Sequence, residues 1–113
     1  MDKELISLRI DEIIKHIDLA TNDLAGVDLK DFGEYSLSAR GIAFSLEQIC
    51  EHVSKLRKKL ECDYPNIDWD KIYDTRIVLA HMYMKIDTKV VYNTVKNDLP
   101  HLREQMLEIK ASL

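Results

Sequence analysis

Arg76, His81 and Tyr83 bring a guanidinium, an imidazole and a phenol within one eight-residue stretch. A guanidinium stays charged at any working pH and grips a phosphate through parallel hydrogen bonds. An imidazole takes up or gives away a proton near neutral pH. A phenol adds a hydroxyl that can donate or accept. Together these groups suit a site that holds a phosphate and moves a proton beside it. The same three residues have a plainer reading. Arg76 would then pair with an acid, His81 would be a satisfied bundle histidine, and Tyr83 would be ordinary packing.

Helical geometry constrains the first reading. At about 100° per residue, Arg76 and Tyr83 nearly share a face, whereas His81 lies about 140° around from Arg76. A straight helix in one subunit does not bring Arg76 and His81 together. Either a helix end loosens, or a two-fold partner supplies a second set of groups. A symmetric dimer presents the same patch twice, so the expectation is a homodimer with the motif ends lining a groove between protomers.

The chain must build a scaffold for this stretch from 113 residues, which suits a single domain spanning 1–113. Apolar residues make up 46% and charged residues 32%, a balance that argues against a disordered chain. Three Gly and two Pro leave little punctuation, which favours long helices. No apolar run approaches the roughly 20 residues that span a bilayer. The amino terminus, from Met1 to Ile6, lacks the apolar core of a signal peptide. A cytoplasmic protein without membrane contact is expected. Cys50 and Cys62 have no metal-ligand spacing and are expected as free thiols, Cys50 packed on a helix and Cys62 near a helix end.

A net charge of −4 argues against a general nucleic-acid coat, although a local basic patch would still serve. Lys55, Arg57, Lys58 and Lys59 form one basic run. Its simpler reading is a solvated helix end, where positive charge complements the helix dipole. His16, His52 and His101 lie too far apart in sequence to nominate a metal site, and neither a Gly-rich phosphate loop nor an HExxH is present.

Apolar periodicity gives the elements. Ile6, Ile10, Ile13 and Ile17 mark a first helix from about Asp2 to Asp23, with Ile14 widening the stripe. A connection over Val27 to Glu34 follows. Ala39, Ile42, Leu46, Ile49, Val53, Leu56 and Leu60 form a heptad-like seam on a second helix from Ser36 to Glu61. Asp63, Pro65 and Asn66 mark a turn. Asp68 is positioned to cap a third helix that begins at Trp69, carries the motif and ends around Met84 to Ile86. Trp69 is expected to cover one end of the bundle. Asp87 can cap a fourth segment with the stripe Val91, Val95, Leu99, Leu102, Met106, Ile109 and Leu113. Pro100 falls inside that stripe: either the helix kinks there, or Asp98 caps a fifth helix with Pro100 in its first turn. The fold class is all-α, an up-and-down bundle of four or five helices.

With those elements in place, the motif Arg76-x4-His81-x-Tyr83 resembles the HepT-type toxins of the HEPN superfamily. The flanking Asp68 and Trp69 upstream, and Asp87, Tyr92, Asp98, Pro100 and Leu102 downstream, extend the likeness. So does the segment Ile49 to Leu56 with Glu51 near its centre. The resemblance runs from the second helix to about Leu102. It implies a HEPN-like helical dimer whose paired Arg-x4-His motifs cleave RNA without metal or cofactor, and not DNA. Arg76 and His81 would be the catalytic pair, with Glu51 and Asp74 as candidate supporting groups. It also implies a cognate minimal nucleotidyltransferase antitoxin that silences the toxin by adding AMP to the motif tyrosine, here Tyr83, which otherwise helps position substrate.

Two positions depart from the family pattern. Ile77 stands where the residue after the motif Arg is commonly polar, and Met82 where Gly commonly follows the His. Ile77 and the acidic net charge motivate an alternative, a non-catalytic subunit that holds nucleotide or acceptor for a minimal nucleotidyltransferase. A third reading, a helical adaptor, requires the seam of the second helix to face outward for assembly.

Overall fold

The computed structural model describes residues 2–33, 36–76 and 88–113. Among them every regular element is helical and no strand occurs. Helix α1 spans Lys3–Leu24, capped where Asp2 accepts the Leu5 amide at 2.8 Å. Gly26 leaves it in the left-handed region, at φ 75°, which a side chain would disfavour. A short 3₁₀ turn, Leu29–Asp31, leads to buried Phe32, whose ring meets Tyr92 edge-on.

Helix α2 covers Leu37–Leu60 and runs antiparallel to α1. The cross-helix neighbours descend in order: Arg9 meets His52, His16 meets Phe44, and Asp23 meets Gly41. Ser36 sets its start by donating to the Gly33 carbonyl at 2.7 Å and accepting the Ala39 amide at 3.1 Å. Ser36→Ala removes both bonds and is expected to cost about 1 kcal/mol, a fall of roughly 4 °C in Tm. Calorimetry on the two proteins checks this, and an unchanged Tm would mean the cap contributes nothing.

All seven residues of the α2 seam are buried. They pack with Ile6, Ile10, Ile13 and Ile17 of α1 into one core. That burial removes the basis of the adaptor reading, because the seam is occupied within the bundle.

After Asp68 caps it by accepting the Lys71 amide at 3.0 Å, α3 runs only Trp69–Tyr73. The expected third helix is therefore not continuous from Trp69. Asp74 forms a turn in which its amide is shared among the carbonyls of Asp70, Lys71 and Ile72, and the chain is helical again at Thr75 and Arg76. Buried Trp69 covers the bundle end as expected, its indole N–H donating to the Tyr64 carbonyl at 3.2 Å. The expected end of this helix at Met84 to Ile86, and the Asp87 cap, lie outside the described residues.

Helix α4, Thr88–Asn93, passes through a π-helical turn, Thr94–Asp98, into α5, Leu99–Ser112. This resolves the two alternatives at Pro100. Its missing N–H falls in the first turn of α5, but Asp98 has helical dihedrals and makes no capping bond. Wider π turns absorb the backbone mismatch just before the ring. The stripe from Val91 to Ile109 is buried throughout. Ion pairs from Arg103 to Asp18 and from Lys110 to Asp11 set α5 antiparallel to α1. No helix among the described residues is long and apolar enough to cross a membrane.

His16 and His52 lie at the α1–α2 contact. Arg9 Nη1 approaches His52 Nδ1 at 3.2 Å, and Glu12 lies 3.7 Å from His16 Nε2. Burial, the larger cause, holds both imidazoles below the ordinary value; Arg9 adds to this at His52, and Glu12 opposes it at His16. The unfolded chain therefore binds these protons first, starting near pH 6.5. Stability is expected to fall as pH drops below about 6.5 and to level off above it. The denaturant midpoint at mildly acidic and neutral pH tests this, and His16→Gln with His52→Gln should flatten the difference. An equal pH dependence in that double variant would contradict it.

Candidate active site

The turn at Asp74 directs neighbouring side chains to opposite faces. Asp74 lines a cavity of about 440 Å³ between α3 and the π turn, together with Lys71, Thr75, Thr94, Asp98 and His101. Lys71 and Asp98 approach to 3.7 Å across it. Arg76, two residues later, lines a separate cavity of about 200 Å³ against α2. The structure thus sets the candidate supporting residue Asp74 apart from Arg76.

The smaller cavity has an apolar floor from Cys50, Val53, Trp69 and Ile72, with Ser54 and Tyr73 on its walls. Arg57, Lys58 and Arg76 also line it. Arg57 is engaged by Glu61 and by Asp70, the latter at 2.8 Å. The Arg76 guanidinium lies over the Tyr73 ring, 5.3 Å from its centroid. A cation over an aromatic face is held by the ring quadrupole. Tyr73 stands three residues before Arg76, the spacing at which helical side chains meet, so sequence spacing alone could have pointed to this contact.

Glu51 belongs to the electrostatic neighbourhood of Arg76. Lys55, hydrogen-bonded to Glu51 at 3.0 Å, is the main cause of a carboxyl held below its usual range, and Arg76 and His52 add to it. Burial pushes the Cys50 thiol up to about 11, against the opposing pull of Arg76. Cys50 is therefore a protonated thiol at neutral pH and a poor nucleophile. Cys62 is exposed, and both cysteines are free. Lys55 pairs with Glu51 and Arg57 pairs across α2 and α3, so only part of the basic run behaves as a simple solvated helix end. No cluster of three metal-ligating side chains occurs among the described residues.

His81, Tyr83, Ile77 and Met82 lie outside the described residues. The profile of the HepT-like ribonuclease family, however, matches residues 10–109, which includes them. The chain belongs to the HepT-like ribonuclease family. Membership makes it an endoribonuclease by class, as the motif resemblance implied. A candidate RNase of Caldanaerobacter subterraneus is 25% identical over 100 residues, covering 88% of this chain and 89% of that relative. One from Methanocaldococcus jannaschii is 26% identical, covering 96% and 94% respectively. A protein of Thermococcus cleftensis, named as a candidate ribonuclease HepT, is 24% identical, covering 89% and 92%. No solved structure matches the chain.

Proposed function

We propose that this HepT-like ribonuclease is the toxin of a toxin–antitoxin pair and cleaves RNA without metal through Arg76 and His81. The observation that carries the reading is Arg76 itself. It is an exposed guanidinium beside a cavity that Arg57 and Lys58 also line, at the head of the Arg-x4-His-x-Tyr stretch of a chain that belongs to a ribonuclease family.

RNA carries its own nucleophile. His81 takes the proton from a 2′-hydroxyl as its oxygen attacks the adjacent phosphorus. The bond from phosphorus to the 5′-oxygen breaks, and that oxygen collects a proton from an acid, water or imidazolium. The products are a 2′,3′-cyclic phosphate and a 5′-hydroxyl. Arg76 holds the phosphate and stabilises the charge on its oxygens in the transition state. A homodimer would bring Arg76 of one protomer and His81 of its partner to one groove, which answers the 140° separation along a single helix. Glu51 would orient the cationic groups around Arg76.

Tyr83 is the proposed switch. A cognate minimal nucleotidyltransferase antitoxin would transfer AMP from a nucleoside triphosphate to the Tyr83 hydroxyl and release pyrophosphate. The added phosphate would repel and block RNA where its own phosphate must sit. After co-expression with such a partner, intact mass should rise by one or more AMP units mapped to Tyr83, and the modified protein should lose cleavage. Unmodified Tyr83 in a neutralised complex would contradict this step.

The alternative is a non-catalytic subunit that holds nucleotide or acceptor for the nucleotidyltransferase, favoured by Ile77 after the motif arginine. Robust His81-dependent RNA cleavage by protein freed of partner and AMP excludes it.

A further inference from the structure

We propose that the cavity between α2 and α3 is a nucleobase pocket, in which Tyr73 and the apolar floor hold one unstacked base of single-stranded RNA beside Arg76. This inference rests on the ribonuclease reading for its substrate class, and it adds a specificity site to that reading.

The dimensions favour a single small group. About 200 Å³ is smaller than the roughly 300–1,000 Å³ of pockets that enclose whole drug-sized ligands. Val53, Cys50, Trp69 and Ile72, all largely buried, supply an apolar floor. Trp69 is buried, and its indole N–H is held by the Tyr64 carbonyl. Ser54 offers a hydroxyl that can donate to or accept from a base edge.

Tyr73 is the unusual wall. It is a large aromatic side chain that remains 52% exposed even with Arg76 over its ring. Arg76 covers one face of this ring, so a base would stack on the guanidinium plane or on the ring's other face, since every base has a π face. Lys58 and Arg76 at the cavity wall place positive charge where the sugar–phosphate chain of a bound nucleotide would leave it. The overall charge of −4 then matters less than the local sign. Bases in a duplex are stacked and cannot enter, so the pocket selects single strands, loops and bulges.

The site is tested with short oligoribonucleotides in which 2-aminopurine replaces each position in turn, titrated onto the full chain carrying His81→Ala. One position should show quenching that saturates with binding. Tyr73→Ala should weaken binding by about five-fold to a hundred-fold and remove that quenching, whereas Tyr73→Trp should retain both. An abasic residue at the quenched position should lose affinity to a similar degree. In the cleaving protein, Tyr73→Ala should raise KM, and Tyr73→Trp should restore it. Position-independent quenching, or equal affinity of Tyr73→Ala and its parent, overturns the pocket even if wild-type protein cleaves RNA. Tyr73-dependent binding without any RNA cleavage would leave the pocket standing and remove the ribonuclease reading.

Discussion

Arg76→Ala is expected to lower RNA cleavage by about 10²–10³-fold, the cost of removing a donor aimed at developing charge. His81→Ala should cost about 10²–10⁴-fold by removing the acid–base group. Combining the two should cost little more than the larger single loss, because the groups act on one transition state. Arg76 is exposed, and its described side-chain contact is the face of Tyr73, so its replacement should leave folding intact. Circular dichroism and thermal melting separate a folding defect from a chemical one. Cleavage within a few-fold of wild type in either single variant would remove that residue from the site.

Leu46→Ala is expected to destabilise the protein by about 2–5 kcal/mol through lost burial and the cavity left behind. Leu46 is fully buried on the α2 seam and packs within the shared core. Against a total of roughly 5–15 kcal/mol for a domain, that is a substantial fraction of the stability. Urea unfolding should show a large fall in midpoint with an unchanged slope. A loss below about 1 kcal/mol would mean that α2 does not depend on this seam.

That seam was legible because its period is a property of neighbouring residues. Ala39 through Leu60 recur three and four apart, and only burial against another element satisfies such a stripe. The cap at Asp68 was legible for the same local reason, whereas Asp2 and Ser36, read as the first residues of their helices, serve as the caps just before them. Pro100 was not. Its ring announces a missing donor, but the π turn that accommodates it depends on how Val91 to Leu99 pack, and periodicity does not carry that information.

The site divides along the same line. The motif gives Arg76 an address on the chain, and His81 lies outside the described residues. The break at Asp74 comes from a shared amide hydrogen bond, and it sends Asp74 and Arg76 into different cavities despite their closeness in sequence. Glu51 and Tyr73 join the Arg76 neighbourhood from two different helices. The α2–α3 contact makes the part of Glu51 visible, whereas Tyr73 is a local neighbour three residues before Arg76.

The most direct test uses purified protein, free of partner and AMP, with RNA in excess chelator. Wild type is expected to cleave and leave 2′,3′-cyclic phosphate ends, and His81→Ala is expected to be inactive. Substrate carrying a 2′-deoxy residue at the cleaved position should resist, since it lacks the nucleophile. Cleavage that needs a divalent cation, or that persists at wild-type rate in His81→Ala, would contradict the metal-independent site at Arg76 and His81.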